Sequence, residues 1–489
     1  MAAAQLNTFQ QAPHAMLPRP THDERSRQEF AKGLRGYLQK AVLPGLTPLF
    51  ASMKQSSTQG MAAMPDRNAI RRRMVHEPYF QSYAAANRTA QELLWLSVVD
   101  SLERELPRLE AEARRLEGKL GSLRLDPAME VPRYVTALDI HCMPGGYASK
   151  ADPQQLAAGA LYDRGVYLYA MGYAGPYSDD KGRSVCNYLR RHFPEFRPRR
   201  ILDLGCTIGA STLPYKELFP EAEVWGVDVA APCVRYAHLR AVAMGYEAHF
   251  AQMNAERTGF PDGHFDLVVS HVLLHETSGR AMPRVFAECH RLLAPGGYMI
   301  HADLPPFDLM DPFTQFILDN ETHYNNEPFW GAMREVDQVA LAERVGFPKG
   351  TVRFDTAPMA IREAAARKAA GYDSAAAGAV ADREFKGGEY APGGGWEVLI
   401  GRKAGATAAG AATTNETNAQ KRPPRWRSPV GEGAKRVRRG GTATGYQVHR
   451  VETPRAACVG LAAPIRRARA VRATRPWHRP HAKFPRFSS

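Results

Sequence analysis

This sequence predicts an α/β protein built on a mostly parallel sheet, and three observations carry that prediction. From about residue 155 onward, short apolar runs of strand length alternate with amphipathic stretches of helix length. The run "ILDLGCTIGAST", residues 201–212, passes from an apolar strand through an acid and two glycines into a helix start. A second strand, "VWGVD", ends in another acid, Asp228, 25 residues after the first. Such alternation buries a parallel sheet under helices on both faces. It also gathers the loops that bind ligands at the carboxyl edge of the sheet.

Taken in order, strands are expected near 200–204, 223–228, 247–251, 265–270, 297–302, 351–355 and 396–401, a seven-stranded Rossmann-like sheet. Helices are expected near 180–192, 210–218, 231–243, 280–293, 312–320 and 334–345. An Ala/Gly-rich insert at 357–395, partly helical, interrupts the last pair of strands and is a candidate lid or surface excursion. These elements define a domain at 155–403.

Ahead of it, residues 1–20 are rich in Ala, Gln and Pro and read as disordered. Residues 21–150 form a helical region, with helices at 22–50 and 78–120 and a linker, "SMKQSSTQGMAAMPDRN", between them. The second helix carries Leu93, Leu94, Leu96, Val98, Val99, Leu102, Leu106 and Leu109 at mixed three- and four-residue spacing. Pro107 should interrupt or kink it. No heptad is sustained, so the region reads as a cap on the following domain, with a homodimer through these helices as the other arrangement.

The chain has 489 residues, 44% of them apolar, enough for two or three domains with a sizeable core. No apolar run approaches the roughly 18 residues of a membrane span, and the N-terminus lacks a secretory pattern. None of the six cysteines forms a Cys-x-x-Cys pair, so no metal site or disulfide framework is expected and a cytoplasmic location follows. The net charge is +14, but Arg402–Ser489 alone holds twenty Lys and Arg against three acids. What precedes it is slightly acidic, which argues against a folded surface that grips nucleic acid. The tail, 404–489, reads as disordered and Arg/Pro-rich. It is either a nucleic-acid-binding arm with Trp426 and Trp477 as stacking groups or an extension without function.

The glycine loop selects the cofactor. A dinucleotide fingerprint wants G-x-G-x-x-G/A. In that register the chain offers Gly205, Thr207 and Ala210, without the middle glycine that admits a pyrophosphate. Read from the acid, the series is Asp203, Gly205, Thr207 and Gly209. A carboxylate here suits a cationic ligand and would repel a pyrophosphate. Asp228, at the next strand end, can accept from ribose hydroxyls.

In that second register the loop resembles the first motif of class I S-adenosylmethionine-dependent methyltransferases. Three further stretches share the resemblance: "VWGVDVAAPCVRYA", "FAQMNAERTGFPDGHFDLVVSHVLLHE" and "CHRLLAPGGYMIHAD". The group containing the ubiquinone and menaquinone C-methyltransferases has the same Pro-Gly-Gly turn. The resemblance spans about 155–403. It implies S-adenosyl-L-methionine as cofactor, held by Asp203, Gly205, Thr207, Gly209, Asp228, Asn254, Ala255 and Ser270. It further implies methyl transfer to an O, N or C atom of a small-molecule acceptor.

Candidate catalytic groups are His275, His271 and Asp303, where strands four and five open onto the pocket; His275 is the first choice of general base. Tyr162, Tyr169, Tyr173 and Tyr177 precede the first domain helix, where aromatic faces suit a sulfonium. In "ETHYNNEPFW", His323, Tyr324 and Trp330 are expected to line the acceptor pocket with Tyr173 and Tyr177. Two other functions fit the same residues: an RNA-modifying or RNA-binding protein that uses its tail, and a non-catalytic scaffold that keeps the cofactor fold.

Overall fold

The computed structural model describes residues 10–56, 64–148, 155–369 and 395–405. The tail beyond 405 and residues 370–394 of the insert lie outside them. The strands are β1 (Ser122–Arg124), β2 (Arg200–Leu204), β3 (Glu223–Asp228), β4 (His249–Gln252), β5 (Phe265–His271), β6 (Leu293–Asp303), β7 (Val352–Pro358) and β8 (Gly395–Arg402). They form one sheet in the order β1-β4-β3-β2-β5-β6-β8-β7. Only β8 runs against its neighbours, β6 and β7; the other pairings are parallel.

Among the described residues the sheet therefore has eight strands, where seven were expected. The addition is β1, from the region read as purely helical, which pairs Leu123 with Phe250 on the edge strand β4. Its three residues are too few to show an alternating pattern in sequence.

The helices, in chain order, begin with α1 (His22–Tyr37), α2 (Leu46–Ser56), α3 (Arg67–Met74), α4 (Pro78–Leu116) and α5 (Arg133–Thr136). There follow α6 (Ala157–Tyr169), α7 (Asp180–His192), α8 (Leu213–Leu218), α9 (Ala231–Ala243) and α10 (Met282–Leu292). The last are α11 (Pro312–Leu318), α12 (Asn320–Tyr324), α13 (Trp330–Met333), α14 (Gln338–Arg344) and α15 (Ala360–Ala369).

Strand alternation decides which helices cover which face. Leu202, Leu204 and Val268 pack with Val285, Phe286 and Leu292 of α10 and Leu341 of α14. Their neighbours along the strands, Ile201, Leu267 and Val269, pack with Val185 and Leu189 of α7 and Tyr215 of α8. Both faces are thus apolar, as a parallel sheet requires, and polar function is left to the strand ends.

A further layer lies outside α9. Leu94, Trp95, Val98 and Leu102 of α4 share a core with Leu161 and Leu168 of α6 and Tyr236 and Leu239 of α9. Pro107 does not interrupt α4, which runs on through it. An interior proline costs about 3 kcal/mol. Leu109, Ala113 and Leu116 beyond it are buried, and each large apolar side chain returns about 1.5–3 kcal/mol, so packing outweighs the lost hydrogen bond.

Residues 10–20 are not the disordered leader expected from their composition. Gln11 and His14 both reach the fully buried carboxylate of Asp163, at 3.0 Å each. Met16 is fully buried and its carbonyl accepts from Tyr236 Oη at 2.9 Å. Burial works to raise the Asp163 pKa, but Arg240 and His14 outweigh it and hold the acid at about 2. The segment is held by an ion-pair network that composition does not reveal.

The contact between α4 and α6 depends on a residue without a side chain. A Cβ on Gly165 would lie 2.1 Å from the Trp95 ring. Gly165→Ala is expected to destabilise the protein by about 1–3 kcal/mol through overpacking, measured by urea denaturation. An unchanged midpoint would mean that the Trp95 contact is loose.

Candidate active site

The strand order reverses between β2 and β5, which places a crevice at their carboxyl ends. A cavity of about 610 Å³ opens there. Its floor is the loop after β2, with Asp203, Gly205, Cys206, Thr207 and Ala210 on the wall. Gly205 has φ 71° and a Cβ there would sit 2.6 Å from Leu273, so only glycine fits this approach.

Thr207 also has a left-handed backbone, φ 46°, which costs a β-branched residue about 1–2 kcal/mol. Its N–H donates to Asp228 Oδ2 at 3.0 Å, and a bond to a carboxylate returns about 1.5–3 kcal/mol. The other oxygen of Asp228 accepts from Ala230 N at 2.9 Å. Burial pushes the Asp228 pKa up to about 6, against the pull of these N–H groups. Asp228, Asn254 and Ala255 all line the cavity.

Other expected cofactor residues sit differently. Asp203 faces the cavity, yet its oxygens accept from Thr212 Oγ1 at 2.5 Å and contact His271 Nδ1 at 3.1 Å. Gly209, φ 70°, shapes the turn behind the loop and packs near the Phe250 ring rather than on the cavity wall. Ser270 is fully buried and bonded to His301 Nδ1 at 2.7 Å, its register partner on β6. One residue short of the strand end, it is locked inside the sheet and does not line the cavity.

Among the expected catalytic groups, His275 and His271 face the cavity and Asp303 lies behind them. Both nitrogens of His271 have partners, Asp203 on one side and Tyr215 Oη at 3.0 Å on the other. His275 sits on the turn after β5 and its Nδ1 is 2.7 Å from Asp303 Oδ1. Its Nε2 has no hydrogen-bond partner among the described residues. Burial works to lower the His275 pKa, but the Asp303 carboxylate prevails and raises it. Asp303 also accepts from Leu274 N and Leu304 N, both at 2.8 Å. With those donors and the imidazole in place, its ionised form is favoured and its pKa falls despite burial.

Of the expected acceptor-pocket residues, Trp330 and Tyr173 line the cavity, and Trp330 meets the His275 ring edge-on at 5.0 Å. Tyr177, His323 and Tyr324 do not line it. The Tyr177 carbonyl is engaged by Arg240 at 2.9 Å. α12 turns His323 toward Asp319 and packs the Tyr324 ring against Phe80 of α4.

The family described as "Methyltransferase domain" matches residues 201–297. The chain is 38% identical over 112 residues to demethylmenaquinone methyltransferase of Thermus thermophilus, covering 23% of this chain and 50% of that one. It is 27% identical over 158 residues to a malonyl-[acyl-carrier protein] O-methyltransferase of Legionella pneumophila, covering 32% and 53%. The chain thus spans about half the length of these curated relatives. A phosphoethanolamine N-methyltransferase of Haemonchus contortus, solved with phosphomonomethylethanolamine and S-adenosylhomocysteine, aligns with TM-score 0.34 at 16% identity over 50% of this chain and 58% of that one.

Residues of the matched stretch do not enclose the cavity alone. Tyr134, His141 and Tyr147, from a stretch with no helical or strand period, line it with Tyr162 and Tyr169 of α6. The Tyr134 hydroxyl donates to Glu256 at 3.0 Å, two residues beyond Asn254. Lys181 and Trp396 close the far wall, with the ammonium 5.4 Å from the indole centroid. None of Tyr134, His141, Tyr147 or Lys181 lies in a recognisable motif. The only local signal is a histidine and a tyrosine close together in "IHCMPGGY".

Asp303→Ala is expected to destabilise the protein by about 3–5 kcal/mol, because it strands a buried imidazole and two N–H groups. Chemical denaturation would read this directly. A loss below about 1 kcal/mol would show that the turn does not depend on Asp303.

Proposed function

We propose that this protein transfers a methyl group from S-adenosylmethionine to a small-molecule acceptor. The observation that carries the reading is that one cavity joins the loop of Gly205 and Thr207, the strand-end acid Asp228 and the His275–Asp303 pair. Its volume, about 610 Å³, lies in the range of small-molecule sites.

The residues present fit the cofactor. Gly205 leaves the space that a Cβ would fill. Asp228 keeps lone pairs free beyond its two backbone donors and would hold the ribose hydroxyls. Asn254 and Ala255 would border the adenine. When bound, S-adenosylmethionine would supply a methyl group activated by its sulfonium, with a neutral thioether as the leaving group. His275 Nε2 takes the acceptor's proton. Asp303 holds the ring by Nδ1 and increases its basicity. Trp330 and Tyr173 would pack against the acceptor and exclude water from it.

The two curated relatives are named for different acceptors, demethylmenaquinone and malonyl-[acyl-carrier protein]. The matched stretch, 201–297, contains Asp203, Gly205, Thr207, Asp228, Asn254 and Ala255, which we propose hold the cofactor. A quinone-type acceptor is therefore one member of the class we propose. The acceptor-facing wall comes largely from residues outside that stretch, Tyr134, His141, Tyr147 and Trp330.

Calorimetry with S-adenosylmethionine tests the cofactor, and absence of binding at millimolar concentration would sink the proposal. Affinity should depend on pH through Asp228. The carboxylate accepts from the ribose, so affinity is full above about pH 6 and falls as pH drops through that value, with proton release on binding. Asp228→Asn should flatten the profile. Turnover is read by labelled-methyl transfer across hydroxyl, amine and carbon nucleophiles. His275→Gln should reduce kcat about 10²–10⁴-fold while leaving the cofactor Kd in place; unchanged turnover would remove His275 from the chemistry.

A further inference from the structure

We infer that His141, Glu276 and Glu327 form a binding site for a first-row divalent metal ion at the acceptor end of the cavity. The three residues come from separate segments: the stretch after α5, the turn after β5, and the loop between α12 and α13. One donor atom from each lies within 4.8 Å of the other two. Ligand atoms about 2.1 Å from a common tetrahedral ion stand about 3.4 Å apart, so the side chains would draw together by up to about 1.4 Å to close the site.

The arrangement without metal already has the form of a cation site. The His141 ring lies between the two carboxylates, with Nε2 3.2 Å from Glu276 Oε1 and Nδ1 in contact with Glu327 Oε1. Glu327 is the independent sign that this is not its final partner. The residue is fully buried, and its second oxygen, Oε2, receives no hydrogen bond among the described residues. A buried carboxylate oxygen without a donor is costly, and a metal ion removes that cost.

Neighbouring groups fix the donors in place. The His141 carbonyl accepts from Trp95 Nε1 at 2.7 Å and from Gln91 Nε2 at 2.8 Å. Tyr147 Oη donates to Glu276 at 2.9 Å, the kind of outer contact that orients a ligating carboxylate. His141 and Glu276 line the cavity, whereas Glu327 stands behind them. An ion here would keep open positions toward the acceptor. One nitrogen and two carboxylates suit Zn²⁺ or Mn²⁺ better than soft metals. Polarising an acceptor oxygen beside His275 is the role such an ion would have, and that role alone rests on the methyl-transfer reading.

The test is titration of chelator-treated, desalted full-length protein with MnCl₂ and with ZnCl₂, by calorimetry and thermal shift, without S-adenosylmethionine. We expect saturable binding of one ion per chain and a higher melting temperature. Glu327→Gln and Glu276→Gln should each weaken binding by about 10-fold or more. The S-adenosylmethionine Kd of Glu327→Gln, expected to stay as in the parent, verifies that this variant is folded. No saturable binding of either ion at 1 mM (about a thousand times a micromolar site), or binding that both substitutions leave intact, would reduce the cluster to an ion pair and overturn the proposal. Cofactor affinity is measured separately, so failure of the metal site and failure of the methyl-transfer reading give different results.

Discussion

The Asp303 carboxylate, at the end of β6, holds the site together. It accepts from Leu274 N, His275 Nδ1 and Leu304 N. The first two belong to the turn after β5, so one buried acid ties together the carboxyl ends of two adjacent strands. His275 and Glu276 leave that turn in succession and both reach the cavity. Trp330 then rests on the His275 ring, and Glu276 meets His141 from the N-terminal region. The direction of each contact follows from where the carboxylate pins the turn.

The side of the cavity assigned to the cofactor was legible as a pattern because its residues lie close together in sequence. A strand end, a glycine loop and a second strand-end acid fall within about 25 residues, Asp203 to Asp228, so their spacing is visible in the sequence. Asp203, Gly205, Thr207, Asp228, Asn254 and Ala255 all border the cavity. Gly209 and Ser270 differ for a geometric reason. Spacing along the chain does not state which side of the strand end a residue faces, and Ser270 points at His301 within the sheet.

The acceptor half was legible only where a residue sits next to a strand end, as His275 does. Tyr324 and His323 share a stretch with Trp330, but α12 carries them toward Phe80 and Asp319. His141 and Tyr147 come from a segment without periodicity. Their place depends on Trp95 and Gln91, some fifty residues earlier in the chain. Contacts of that separation leave no pattern in a single sequence. The disorder expected for residues 10–20 failed for the same reason, since Asp163 and Tyr236 hold that segment from afar.

The short strand β1 has a consequence for how the chain reaches this state. Ser122, Leu123 and Arg124 pair with His249, Phe250 and Ala251, more than 120 residues later. Without them the backbone of β4 would be a bare edge, open to pairing with another chain. Closing so distant a pair costs loop entropy before it returns any packing, and slows folding. Until that pair forms, newly made protein exposes an adhesive strand. Pairing with β1 thus keeps the β4 edge from becoming a template for association with other chains.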